Sequence, residues 1–187
     1  MSTKEILSMV TKELNDTFSN LKEEQLVTFQ EKILEANKII VAGAGRSLMM
    51  IRGFAMRLMH MGFVAYVVGE TVTPAIEKGD LLIIASGSGS TGTLTIIAEK
   101  CKKIGAELAL ITTNSDSPIG KLADLVIEVN AATTKSENNA KNSIQPGANT
   151  FEQSVLLIGD AIIINLMSSR SLDESNKVLM TKHANLE

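Results

Sequence analysis

Apolar positions follow two kinds of pattern along this chain. Near the start, Ile6, Val10, Leu14 and Phe18 recur every four residues, which predicts an amphipathic helix over 3–18. Leu26, Phe29, Ile33 and Leu34 predict a second over 23–36. The pattern then changes to short apolar runs at 38–42, 63–68, 81–85, 107–112 and 125–129. Such runs, bounded by small or turn-forming residues, are expected of strands buried on both faces.

Helical patterns separate the runs. A helix rich in Met, Ile, Phe and Leu is predicted over 48–61, apolar on most sides and therefore largely buried. Another covers 93–104 and is ended by Gly105, and a short one opens at Ser117-Pro118 and reaches Ala123. Thr150 and Gln153 have the spacing of a capping box, so a long helix is expected over 150–167, with a last one over 173–180. The connection 69–77 contains Thr73-Pro74, where the proline holds its predecessor extended. The segment 130–145 is polar and aperiodic: a surface loop, or alternatively a lid or wall of a site.

Strands alternating with helices at these separations imply an α/β protein, with a mainly parallel five-stranded sheet and helices on both faces. The chain reads as one domain: N-terminal helices over 1–36, a doubly wound core over 38–129, and C-terminal helices and tail over 147–187. The flavodoxin-like strand order 2-1-3-4-5 sets the first and third strands side by side, with their connections leaving in opposite directions. Ligands bind beyond the carboxyl ends of the strands at such a point. Two Gly-rich segments, Gly43-Ala44-Gly45-Arg46-Ser47 and Ser86-Gly87-Ser88-Gly89-Ser90-Thr91-Gly92, follow those two strands.

The second segment is the strongest chemical signal. Its glycines allow a sharp turn and close approach of backbone to a ligand. Its hydroxyls line the turn without bulk or charge, and the following helix offers unpaired N–H groups and the positive end of its dipole. That combination suits a phosphate, although a flexible small-residue turn has the same composition. The Gly-Lys-Ser/Thr ending of the ATP-binding loop is absent.

Composition narrows the field. A length of 187 residues suits a single core, which must be aliphatic and Met-rich, because there is no Trp and only one Tyr. A net charge of −3 leaves no electrostatic footprint for nucleic acid. The lone Cys101 has no internal partner and is expected as a buried or neutral thiol. No signal peptide and no apolar run of bilayer-spanning length are evident, so a cytoplasmic location and no membrane partner are expected.

Several side chains could do chemistry. Arg46 is either a solvated charge or a contact for phosphate or sugar hydroxyls. Ser47 is an ordinary N-cap, or a ligand contact that also caps. Glu152 is either an acid favourable to the helix dipole in a first turn or a general base. His60 falls near the end of a buried helix, where a structural or supporting role is expected, and His183 falls in the tail. Asp160, within an apolar run, is expected as a paired structural acid. The spacing of His, Cys and carboxylates suggests no metal site.

The segments VAGAGRS, GFAMRLMHMGF, VVGETVTPAI, GDLLIIASGSGST, SIQPGANTFEQ and KHANLE, taken in order, resemble the 6-phospho-3-hexuloisomerases, small members of the sugar-isomerase (SIS) domain superfamily. The likeness runs from about residue 39 to 187. It implies a three-layer α/β/α sandwich, no cofactor, and a homodimer or homotetramer with sites near subunit interfaces. It also implies interconversion of D-arabino-hex-3-ulose 6-phosphate and fructose 6-phosphate, in formaldehyde fixation by the ribulose monophosphate pathway. Ser47 and the run Ser86 to Thr91 match the family's substrate and phosphate contacts. Glu152 matches its proposed proton acceptor, and His183 a terminal histidine used near the substrate, within reach of a neighbouring subunit's site. Ser90 stands where the family often has Glu, and Leu48 where Gly is common. Isomerisation of another sugar phosphate, such as arabinose 5-phosphate or sedoheptulose 7-phosphate, and non-catalytic sugar-phosphate sensing are the alternatives.

Overall fold

The computed structural model describes residues 1–131, 143–147, 149–169, 179 and 181–186. The helices are α1 (Thr3–Phe18), α2 (Glu23–Glu35), α3 (Gly45–His60), α4 (Gly92–Ile104) and α5 (Asn149–Ser169). The strands are β1 (Ile39–Gly43), β2 (Ala65–Val67), β3 (Leu81–Ala85), β4 (Glu107–Thr112) and β5 (Leu125–Glu128). All strand pairings are parallel, as the alternation of patterns predicted, and the sheet order is β2-β1-β3-β4-β5, the doubly wound order expected.

Side chains alternate across the buried strands, as the two-residue period of a strand requires. Ile39 and Val41 of β1, Leu81 and Ile83 of β3, and Ala109 and Ile111 of β4 enter one core with Phe29, Ile33, Phe54, Leu58, Phe151 and Ile158. Ile40 and Ala42, Leu82 and Ile84, and Leu108 and Leu110 enter the other, with Leu94, Ala98 and Cys101 of α4. The first core therefore lies beneath α1, α2, α3 and α5, whereas α4 and the segments around Ile76 and Ile119 close the second.

Helix α3 is one-sided rather than largely buried. Ile51, Phe54, Ala55 and Leu58 are buried, but Met49, Met56 and Met59 are exposed. It starts at Gly45 with Ala44 as N-cap, three residues before the predicted position. Ser47 is consequently in the first turn, and the N-cap expectation for it does not hold. The capping box expected at Thr150 and Gln153 is also absent. Helix α5 begins one residue earlier, at Asn149, and the Thr150 hydroxyl donates to Glu13 of α1 instead.

The helix expected from Ser117 to Ala123 is a series of turns. Its backbone is drawn away from a helical ladder: the Ile119 amide donates to the Gly89 carbonyl at 3.0 Å, and the Gly120 amide to Ser117 Oγ at 3.2 Å. Asp160 is exposed rather than buried in a pair. Residues 149–168 have a mean hydropathy of 1.3 and the length to cross a bilayer, contrary to the sequence expectation, yet half of that window is buried within the protein. It reads as a core helix. The helix expected over 173–180 and the loop at 132–142 lie outside the described residues.

Helices α3 and α5 run side by side in the same direction. A Cβ placed on Gly159 would meet the Phe54 ring at 3.1 Å, so glycine there lets the two helices close on each other, whereas one on Gly53 would make ordinary contact with Leu156 at 3.5 Å. Phe54, 2% exposed, also packs against Phe29 with ring centroids 6.1 Å apart. Phe54→Ala is expected to destabilise the fold by about 3–5 kcal/mol, measured as a lower urea midpoint at unchanged m-value.

Candidate functional site

The site begins with a register. Gly43 at the end of β1 is paired with Ala85 at the end of β3, so the two loops leave the sheet side by side at its carboxyl edge. A Cβ on Gly43 would lie 3.0 Å from the backbone of Leu48 and 3.3 Å from the Ala85 carbonyl oxygen. Only glycine lets the first turn of α3 sit this close to β3.

The loop from Ser86 to Thr91 is held from beneath. The Gly87 carbonyl accepts from the Thr113 amide at 3.0 Å, from Thr113 Oγ1 at 2.8 Å and from Thr112 Oγ1 at 3.1 Å. Gly89, at φ +58°, has no room for a side chain, since a Cβ would lie 2.0 Å from Ser117 Oγ. A Cβ on Gly87 would press to 3.2 Å on the Phe151 ring of α5. The loop is thus wedged between β4 and α5. Ser90 is exposed, Ser88 and Thr91 are half-buried, and the Ser86 hydroxyl is buried without a partner. Thr91 caps α4 with no side-chain hydrogen bond, and Ala44 does the same for α3. The first N–H groups of both helices are left for a ligand, as anion sites at helix N-termini require.

Helix α5 supplies the carboxylate. Asn149 and Glu152, one turn apart, lie on the same face of the helix and both meet Arg46. Arg46 Nη1 lies 2.9 Å from Glu152 Oε2 and also donates to Asn149 Oδ1. The Glu152 side chain is 13% exposed and that of Arg46 40%. The carboxylate therefore faces a cation at the loop mouth rather than bulk water. Gly45, Arg46 and Ser47 in the first turn of α3, the run Ser86 to Thr91, and Glu152 all come together at the carboxyl edge.

The two histidines go elsewhere. His60 ends α3, fourteen residues beyond Arg46 and so about 21 Å away at a rise of ~1.5 Å per residue. His183 stacks on it, with ring centroids 5.6 Å apart and planes 27° from parallel. Within one chain, His183 is not beside Glu152. Cys101 is buried, donates to the carbonyls of Ala106 and Glu107, and its thiol is pushed up to about 11 by burial, which leaves it neutral and unreactive. Among the described residues, no group of three or more His, Cys, Asp or Glu is arranged to hold a metal ion.

Sequence reasoning missed Asn149, Phe151, Glu13 and the pair Thr112 and Thr113. Asn149 was discoverable, since it stands three residues before Glu152 on a helix. Nothing local marks the others, whose roles arise from contacts between distant elements.

A parallel sheet in this order, with two hydroxyl-and-glycine loops at the switch point and helix N-termini open to an anion, defines a phosphate-binding α/β domain. The comparisons make the class specific: the SIS domain family model matches residues 32–157, and the chain belongs to that family. Among its relatives, a 3-hexulose-6-phosphate isomerase of Bacillus subtilis is 42% identical over the whole of both chains. That of Mycobacterium gastri is 41% identical, covering 97% of this chain and 89% of its own. A Methanococcus jannaschii protein, whose crystal structure is described as inferring a 3-hexulose-6-phosphate isomerase function, superposes with a TM-score of 0.84 at 36% identity, covering 98% of this chain and 99% of its own.

One titration follows from the far end of α3. Burial, and after it the like charges of Arg57 and His183, push the His60 imidazole below its ordinary value of 6.5. The unfolded chain then binds more protons than the folded one as pH falls through about 6.5, so stability is lost on the acid side and is level above it. Urea midpoints are expected to fall between about pH 7 and pH 5.5, and His60→Gln to flatten that slope.

Proposed function

We infer that the chain is a sugar-phosphate isomerase that interconverts D-arabino-hex-3-ulose 6-phosphate and fructose 6-phosphate, the reaction of the ribulose monophosphate route of formaldehyde fixation. The observation that carries the mechanism is the Arg46–Glu152 pair, 2.9 Å apart at the mouth of the loop between β3 and α4. It sets a partly buried carboxylate beside a seat for a doubly charged ester.

The phosphate, with a charge of about −1.5 to −2 at neutral pH, occupies the loop Ser86 to Thr91 and the open first turn of α4. Ser47 and the first turn of α3 add donors. Binding the ester does no chemistry, but it fixes the reacting carbons over the carboxylate and so removes the entropic cost of finding that geometry. Glu152 takes the proton from C2 of the 3-ulose, and the electron pair moves to O3 to give a cis-enediolate. The hydroxyl proton passes from O2 to O3, and Glu152 returns its proton to C3, which leaves the carbonyl at C2. A single carboxylate over adjacent carbons serves both steps, and no redox partner is required. Arg46, held beside the carboxylate and partly exposed, supplies planar N–H donors for the oxygens on which charge develops.

Assembly into a homodimer or homotetramer, and activity in the cytoplasm, belong to the same proposal. Exposed Met49, Met56 and Met59 on α3 and Ile164 on α5 support the assembly, because apolar side chains of that size gain most by being covered. In such an assembly His183 would serve a neighbouring subunit's site, since it lies far from Glu152 of its own chain.

The test is a coupled assay that forms the 3-hexulose phosphate from formaldehyde and ribulose 5-phosphate and follows fructose 6-phosphate. Turnover is expected with the wild-type protein, and Glu152→Gln is expected to lower kcat by about 10²–10⁴-fold or more while fructose 6-phosphate still binds. Near-normal turnover in that variant would remove Glu152 as the base. Arabinose 5-phosphate and sedoheptulose 7-phosphate serve as the competing substrates.

A further inference from the structure

Residue Glu13 of α1 stands 139 positions before Glu152 in the sequence, yet it is tied to the turn that carries it. Its Oε1 accepts from the Thr150 hydroxyl and, at 2.7 Å, from the Ser143 hydroxyl. Gln145 completes the circuit, with its side-chain amide donating to Thr150 Oγ1 at 3.0 Å and its backbone amide to Ser143 Oγ at 3.0 Å. The Thr150 carbonyl in turn accepts from Ser154 Oγ at 2.7 Å. A closed ring of hydrogen bonds thus joins α1, the segment 143–147 and the first turn of α5. Thr150 is 2% exposed and Ser154 is fully buried, so neither exchanges these partners freely for water.

We propose that Glu13 is a positioning residue for the isomerase site: by anchoring Thr150 it fixes the rotation of α5 and thereby aims Glu152 at the reacting carbons. This rests on Glu152 being the base. Successive helical residues differ by a hundred degrees of rotation, so a modest turn of α5 carries the Glu152 carboxylate off Arg46 and away from the phosphate loop. Phe151, against Gly87, and the buried Val155, Ile158 and Ile162 seat the body of the helix in the core, and the Glu13–Thr150 link fixes the rotation of its first turn. Thr150 lies on the side of α5 that meets α1, and Glu152 on the side that meets α3. The ring therefore acts on the far side of the helix from the chemistry, touching neither substrate nor the loop Ser86 to Thr91. Its effect should fall on turnover rather than on phosphate affinity.

The variants separate positioning from mere folding. Glu13→Ala deletes the acceptor and Thr150→Val the donor, whereas Glu13→Gln keeps an Oε1 acceptor and Thr150→Ser keeps the hydroxyl. Steady-state kinetics in the coupled assay, with circular dichroism to establish folding, are expected to show kcat reduced by about 10–100-fold in the first two. KM should change by less than about 3-fold, and both conservative variants should rescue kcat to within about 3-fold of wild type. The double variant Glu13→Ala/Thr150→Val should fall well short of the product of the two single effects, because the Glu13–Thr150 link is lost in both, although Glu13→Ala also loses Ser143 and Thr150→Val also loses Gln145. Wild-type kcat in folded Glu13→Ala and Thr150→Val, or a loss confined to KM, would overturn the proposal. So would a Glu13→Gln variant as slow as Glu13→Ala. An inactive wild-type protein would sink the isomerase reading itself, and an active Glu152→Gln would sink the base; neither result resembles the pattern in which only the Glu13 inference fails.

Discussion

Helices α3 and α5 are separated by nearly ninety residues, yet they start at the same edge of the sheet and travel the same way. The tight point between them is Gly159, where a Cβ would come within 3.1 Å of the Phe54 ring. A larger side chain at Gly159 would press on the Phe54 ring and strain the packing beside the Arg46–Glu152 pair, which is 2.9 Å apart. Among the described residues, the guanidinium and the carboxylate are the one charged pair that joins the β1 loop to α5. Everything proposed about proton transfer depends on that distance.

The rest of the cleft is organised around negative charge. Three helices, α3, α4 and α5, begin there, and each presents the positive end of its dipole to the opening. The loop after β3 adds hydroxyls and backbone N–H groups, and its rigidity comes from Thr112, Thr113 and Ser117 on the next strand and turn. An ester dianion and a working carboxylate are both accommodated because they sit at different helix ends. In the proposed mechanism the phosphate falls to α4, and the carboxylate stands on α5 with Arg46 opposite.

Much of this was legible beforehand, for identifiable reasons. Buried parallel strands advertise themselves as unbroken apolar runs, so all five strands followed from pattern, and their order is one of the two common in doubly wound sheets. The loops after β1 and β3 were found because glycine and serine in alternation have few other uses between a strand and a helix. What failed was local chemistry overruled by distant contacts. Thr150 looked like half of a capping box, but the Glu13 carboxylate offers its hydroxyl a charged acceptor. The turn at Ser117 looked like a helix start, but the Gly89 carbonyl claims the Ile119 amide. The outer stripe of α3 looked buried because methionine is apolar, although Met49, Met56 and Met59 face outward in the single chain.

Helix α5 has the length and greasiness of a bilayer-crossing segment, and half of it is hidden against protein. During synthesis it emerges after every strand of the sheet and after α1, α2 and α3. The elements that line its groove are therefore already synthesised when the ribosome releases it, so the segment has a surface to dock on. A circular permutation that moved α5 to the front would reverse that timing. The same amino acids would then expose a membrane-like stretch with nothing yet built to receive it, a risk the natural order of the chain avoids.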